Sequence, residues 1–156
     1  MSENGTPILK EQLNSIEQLI EQRTLIDTSV SKVEVAWHLD HMLKTINGIY
    51  DSLKHSDTNN YAWNLNFSRS FVYLTGTIPR GRAQSPESVR PPDVILEKDL
   101  FAQLSEARKK MSQVGQLSEN ANFNHPVFDQ LDRDQSIRFI EIHTNHHLKI
   151  IDDILN

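Results

Sequence analysis

The chain has 156 residues, a formal net charge of −5, 37% hydrophobic and 24% charged residues, a composition typical of one compact globular domain. Cysteine is absent, which excludes disulfides, zinc–thiolate sites and a cysteine nucleophile. The acidic balance argues against a nucleic-acid partner. Without a membrane-spanning apolar run or a secretion-signal pattern, we expect a cytoplasmic protein with no membrane partner.

The N-terminal residues predict a tail followed by a helix. Residues 1–7 are expected to form a flexible tail, and residues 8–156 a single domain. Apolar residues then recur at three- and four-residue steps, which predicts an amphipathic helix over about residues 8–27. They are Leu9, Leu13, Ile16 and Ile20.

The second predicted helix begins at "SKVE", where Ser31 and Glu34 have the spacing of a capping box, and runs to about Lys54. His41 lies beside its apolar stripe and is therefore a neighbour of the core. The stripe consists of Val35, Leu39, Met42, Ile46, Ile49 and Leu53.

The middle of the chain is less regular. Residues 64–76 favour a short helix ending at Gly76, with a strand as the alternative. Residues 78–92 hold four of the six prolines, which predicts a long extended loop. Its arginines are Arg80, Arg82 and Arg90. They either form a lid that binds an anionic substrate or pair with surface acids, and the second is slightly favoured.

A third helix is predicted at about 97–117, followed by an irregular passage around "NANFNHPVFDQL". The fourth starts near Asp132, with Gln135 completing a capping box, and continues to the C-terminal end. Four long helices without a convincing strand ladder predict an all-α helical bundle. Its two long connections argue against simple up-down-up-down threading.

Three of the seven histidines form the strongest chemical pattern. His143 and His147 are four residues apart and therefore lie on one helix face, where two imidazoles can hold one ion. His41, beside the core stripe of the second helix, is the natural third ligand. Three imidazoles leave coordination positions open, as in catalytic sites. The alternative from spacing alone is half-buried, hydrogen-bonded histidines without a metal.

The order of motifs resembles the DinB-like superfamily, and within it the branch of unassigned function designated DUF1569. The motifs are "VAWHLDHML", "IPRGRAQSPESVRPP", "FNHPVFDQL" and "RFIEIHTNHHLKII". The resemblance implies a DinB-like four-helix bundle with long crossover loops. It also implies a divalent metal held by one histidine of the second helix and an HxxxH pair of the fourth, which by position are His41, His143 and His147.

The other histidines and one departure complete the comparison with this family. Many relatives have glutamine where this chain has Ile150, so a polar role there is missing or moved. His125 matches the branch pattern as either a structural loop residue or a fourth ligand. His38 could be a spare ligand at the rim. His146 is interpreted as a packing or interface residue, and His55 is given no functional role.

Two functions follow as hypotheses. In the first, zinc, nickel, iron or manganese on the three histidines activates a water or thiol for hydrolysis or group transfer, as the resemblance suggests. The substrate would then be a small molecule or a thiol. In the second, the bundle is a non-catalytic metal-binding or dimerisation module. Apolar residues on helices one and four would allow a homodimer.

Overall fold

The computed structural model describes residues 6–81 and 85–156, and this part of the chain is mostly helical. Five α-helices lie within it: α1 (Pro7–Leu19), α2 (Val35–His55), α3 (Phe67–Thr75), α4 (Glu97–Gln113) and α5 (Arg133–Leu155). Strands β1 (Asn122–His125) and β2 (Asp129–Asp132) pair as an antiparallel hairpin. The prediction that this passage is irregular was therefore wrong.

The core lies between the long helices. α2 packs against α4 and α5, and α1 contacts the same two helices. Each fully buried aliphatic side chain contributes about 1.5–3 kcal/mol through removal from water, which makes this packing the main source of stability. The side chains that share this burial include Ile16, Leu39, Met42, Ile46, Leu100, Ile140 and Ile151. The helices of the described ranges all fall short of the length and apolarity that a bilayer crossing requires.

The start of α2 differs from the prediction. Glu34 is the N-cap residue and makes no side-chain capping bond, so the capping box with Ser31 was wrong. The first amide groups of the helix are satisfied instead by the preceding chain, because Val35 N–H donates to the Leu25 carbonyl and Ala36 N–H to the Arg23 carbonyl. The Ser31 hydroxyl is thereby left for other partners.

Other helix ends follow local sequence signals. α5 has the predicted capping box, in which Asp132 accepts from Gln135 N–H and the Gln135 side chain accepts from Asp132 N–H. α3 ends at Gly76, whose φ of 66° is the left-handed conformation that glycine adopts without strain. The first helix begins at Pro7, capped by Thr6, and ends at Leu19 rather than near residue 27. Residues 1–5 of the predicted tail lie outside the described residues.

We expect Asp132→Ala to lower the free energy of unfolding by about 1 kcal/mol, because the first turn of α5 loses its capping acceptor. Chemical denaturation followed by circular dichroism measures this change. Asp134→Ala removes an exposed carboxylate from the same turn and should have a smaller effect. Equal losses in the two variants would contradict the capping role.

Candidate metal centre

Packing of α2 against α5 brings His41, His143 and His147 together. One ring nitrogen from each residue lies within 4.8 Å of the others, and the three ring centroids are 4.7, 4.8 and 4.9 Å apart. Imidazoles that share one ion through nitrogens about 2.0–2.1 Å from it have centroids roughly 4.5–5.3 Å apart. These three residues can therefore hold a metal ion.

The orientation of His41 is set by two contacts. Its Nδ1 lies 2.9 Å from the Val89 carbonyl oxygen, which can only accept, so Nδ1–H donates and the lone pair is on Nε2. The indole of Trp37 stacks on the His41 ring, with the ring centroids 5.0 Å apart. His41 Nε2 is 3.1 Å from His143 Nε2. That separation is close to the distance between two nitrogens bound to one ion.

The electrostatics favour neutral imidazoles, the form in which histidine binds metals. Burial is the main cause that lowers the pKa of His41, and it lowers the pKa of His143 and His147 well below the usual value. Mutual repulsion adds to the effect, since His41 lowers the pKa of both other rings. Each ring thus has one protonated nitrogen and one lone pair.

His38 lies behind the site rather than at its rim. Its Nδ1 is 2.9 Å from Nδ1 of His147, and its Nε2 is 3.0 Å from the Ser31 hydroxyl. Burial lowers the pKa of His38 to about 4. His38 is therefore a partner of one candidate ligand, because both of its nitrogens are already engaged.

His143 differs from the other two candidate ligands. Its Nδ1 is buried, and the described residues offer it no hydrogen-bond partner. Its ring lies 5.4 Å from the ring of Phe139. A buried nitrogen without a partner is costly, and with an ion on Nε2 the proton on Nδ1 would have no acceptor in the described part of the chain, so His143 lacks the outer partner that the other two rings have. The donor set of three neutral imidazoles itself fits a divalent transition metal.

Comparisons with protein-family models, with curated proteins and with solved structures found no match for this chain.

The proline-rich loop contacts this cluster at residues 87–89. The 3-10 turn Glu87–Val89 contributes the carbonyl that contacts His41. Arg80 is close enough to lower the pKa of His146, yet it forms an ion pair with Asp153 at 2.8 Å. This confirms pairing with a surface acid for Arg80.

The structure describes only one of the other two arginines of the loop. Arg90 donates to the Ser85 carbonyl, and Arg82 lies outside the described residues.

His146 is half-buried, and its ring centroid is 5.0 Å from that of His147, so it packs beside the cluster. Ile150, where the resemblance implies a departure from glutamine, is buried in the core. Polar support for the candidate ligands comes from Val89 and His38 instead.

His125 acts within the hairpin. Its Nδ1 accepts from the backbone N–H groups of Val127 and Phe128, both at 3.0 Å. Its ring stacks on Phe128 and meets Phe139 edge to face. Burial lowers its pKa to about 4. These contacts support the structural interpretation of His125 over that of a fourth ligand.

Sequence reasoning missed the roles of Trp37, Val89 and Ser31. Trp37 lies one turn before His41 on the second helix, a spacing that could have indicated ring stacking. Val89 acts through its carbonyl, which side-chain identity does not reveal. Ser31 was assigned to the capping box because its spacing to Glu34 matched that motif.

We expect His125→Phe to lower the free energy of unfolding by about 1–3 kcal/mol, because two backbone N–H groups lose their acceptor while the aromatic packing is retained. Denaturant unfolding measures the loss. His55→Phe is the control, since His55 is exposed at the end of α2. A change below about 0.5 kcal/mol would contradict the structural role.

Proposed function

We propose that this chain is a DinB-like, metal-dependent enzyme with a four-helix-bundle fold. His41, His143 and His147 would hold one divalent ion and so activate a water or thiol for hydrolysis or group transfer on a small-molecule or thiol substrate. The observation that carries the proposal is the convergence of three neutral imidazoles from α2 and α5. The order of the sequence motifs supports the same assignment.

The chain's own residues prepare the site in three ways. Val89 and His38 orient two of the rings, and Trp37 covers one side of His41. His143 is partly buried, whereas His41 and His147 are buried, so a substrate would approach from the side of the cluster nearest His143. A divalent ion, when bound, supplies Lewis-acid activation of a coordinated water or thiol.

No acid on α2 is free to act as a base beside this site. Asp40 is buried, and its two oxygens bind Lys44 at 2.6 Å and Gln103 at 2.9 Å. Its carboxylate raises the pKa of His41, which burial lowers more strongly. Asp40 thus contributes charge near His41 and holds α2 against α4. The proposed chemistry depends on the imidazoles and the ion.

The second candidate function is a non-catalytic module whose ion stabilises the fold. The observation that favours it is the depth of the site, since His41 is 3% and His147 is 8% exposed. A structural site has a complete protein coordination shell, whereas a catalytic site keeps an exchangeable position.

We expect His147→Ala to weaken zinc binding by more than the roughly 10–100-fold that loss of an outer hydrogen-bond partner costs, because one of three nitrogens is removed. Protein without a histidine tag is analysed by elemental analysis and titrated with zinc against a chromophoric chelator. His55→Ala, which removes an exposed imidazole, should leave affinity unchanged. Absence of zinc, nickel, iron and manganese binding by the folded wild-type protein would refute the proposal.

A cobalt-substituted sample separates the two candidate functions. The visible absorption of cobalt changes when an added small thiol or anion takes up an open coordination position. A change on addition of a thiol supports the enzyme, and an unchanged spectrum supports the non-catalytic module. Circular dichroism of the same sample verifies that the helices are intact.

A further inference from the structure

We propose that Ser31 and His38 are positioning residues that hold His147 in the tautomer with its proton on Nδ1, which leaves Nε2 for a metal ion. The inference rests on the proposed function for its purpose. Its physical content, the tautomer of His147, exists in the metal-free protein and can be measured there.

The Ser31 hydroxyl has one proton and three polar neighbours. It lies 3.0 Å from the Val33 carbonyl oxygen, 3.3 Å from Val33 N and 3.0 Å from His38 Nε2. The carbonyl can only accept and the amide can only donate. We assign the hydroxyl proton to the Val33 carbonyl rather than to His38 Nε2, and His38 then donates from Nε2 to Ser31 Oγ.

The tautomer of His38 determines the tautomer of His147. A neutral His38 with its proton on Nε2 has a lone pair on Nδ1. Because His38 Nδ1 and His147 Nδ1 are 2.9 Å apart, His147 must supply the proton between them. The free lone pair of His147 is then on Nε2. The opposite arrangement would protonate Nε2 of His147 and prevent that nitrogen from binding an ion.

The three candidate ligands should differ in whether an ion changes their tautomer. Val89 holds His41 in the same tautomer, with its proton on Nδ1. In the metal-free protein, His143 Nε2–H therefore donates to the lone pair of His41 at 3.1 Å. An ion would also require a lone pair on His143 Nε2, the nitrogen that is protonated in this arrangement. Zinc should thus move the proton of His143 to Nδ1 and leave the tautomers of His41 and His147 unchanged.

The test is nuclear magnetic resonance of the full chain with ¹⁵N-labelled histidine, because nitrogen shifts distinguish protonated from unprotonated ring nitrogens. We expect metal-free wild-type protein to show His147 protonated on Nδ1. In Ser31→Ala, His147 should show a mixture of tautomers, and zinc affinity should fall about 10-fold. Ser31→Thr keeps the hydroxyl and should restore both properties.

The control is Ser29→Ala, an exposed serine of the same loop whose hydroxyl binds Asp27. An unchanged His147 tautomer in folded Ser31→Ala would overturn the inference, and so would wild-type His147 protonated on Nε2. The proposed function can fail separately: zinc binding could be absent although His147 has the expected tautomer and Ser31→Ala alters it. That outcome would support the hydrogen-bonded chain and refute the metal site.

A different observation carries a second proposal, which concerns α3. Phe67, Phe71 and Leu74 recur at four- and three-residue steps and form one exposed stripe, with Phe67 81% and Leu74 88% exposed. The opposite side of the helix is anchored by Val72, which is buried, and by the Tyr73 hydroxyl, which donates to the Gln135 carbonyl. The apolar stripe of a short helix thus points to solvent, the reverse of the usual arrangement.

We infer that this α3 face, defined as Phe67, Phe71 and Leu74 with the neighbouring exposed Trp63 and Leu65, binds the same face of a second copy of this chain. Aromatic side chains present about 150–250 Å² each. The exposed fractions of Trp63, Phe67 and Phe71, which are 64%, 81% and 59%, therefore amount to roughly 400 Å² of aromatic surface. This is half of the ~800 Å² that each partner contributes to a standard interface, before the leucines are added.

The charge distribution favours a second copy as the occupant. A two-fold interface places the same patch on both sides, so any charge within it meets its own sign. The exposed positions of α3 are Phe67, Ser68, Ser70, Phe71, Leu74 and Thr75, and its arginine, Arg69, is buried and bonded to the Phe128 carbonyl. The exposed side chains of α3 itself are therefore uncharged on a chain with a net charge of −5, and the Asp129 carboxylate beside Trp63 and Leu65 is hydrogen-bonded by Asn64 and Asn66. The dimer surface predicted from the sequence is on the first and fourth predicted helices, which are α1 and α5 of the structure. These two helices instead bury most of their apolar side chains in the core.

Sedimentation equilibrium of the full chain tests this interface. We expect a mass of twice 18.0 kDa for the wild-type protein, and a dissociation constant raised at least about 100-fold in Leu74→Lys, because two buried lysines would face each other across the axis. Val94→Lys is the control, since Val94 is exposed outside the α3 face. A monomeric wild-type protein, or a Leu74→Lys dimer of unchanged affinity, would overturn the proposal.

Discussion

The structure depends on the packing of α2 against α5, because that contact places imidazoles from two distant parts of the chain in a region with little water. Leu39, Met42 and Ile46 on α2 and Ile140 and Ile151 on α5 are buried in the same core. The candidate metal centre lies on the same two helices, with His41 on α2 and His143 and His147 on α5. Apolar packing therefore determines the separation of the candidate ligands, and polar contacts determine only their orientation.

Burial restricts the state of every histidine in this region. A charged imidazole loses its hydration there, so the rings are neutral and each has one donor and one acceptor nitrogen. Two partners then decide which nitrogen has the lone pair. Val89 accepts from His41, and His38 occupies Nδ1 of His147. Orientation of this kind is what outer hydrogen bonds provide in known metal sites.

The proline-rich loop shows why an irregular segment can matter to such a centre. Prolines prevent it from forming a helix or strand, yet the turn Glu87–Val89 aims one carbonyl at His41. The hairpin contributes indirectly, because His125 packs edge to face on Phe139 of α5, whose ring lies against His143. Both segments contribute through backbone position or ring packing, for which no sequence motif exists.

Local patterns in the sequence determined the helices and the pair of imidazoles on α5. The three- and four-residue apolar steps of α2, the Asp132–Gln135 box and Gly76 act over a few residues, so they could be predicted without the fold. The same holds for His143 and His147, which share a helix face. The pattern at Ser31 was misleading because carbonyls of the preceding loop satisfied the helix instead.

The tertiary structure decided which residues surround that pair. The contacts of His41 with His143 and of His38 with His147 join residues 102 and 109 positions apart, and His41 meets Val89 across 48 positions. Periodicity shows which face of a helix is apolar, but it does not show the height and angle at which two helices pack. The identity of the orienting partners therefore emerged only when the core was assembled, because the chain folds them together from separate segments.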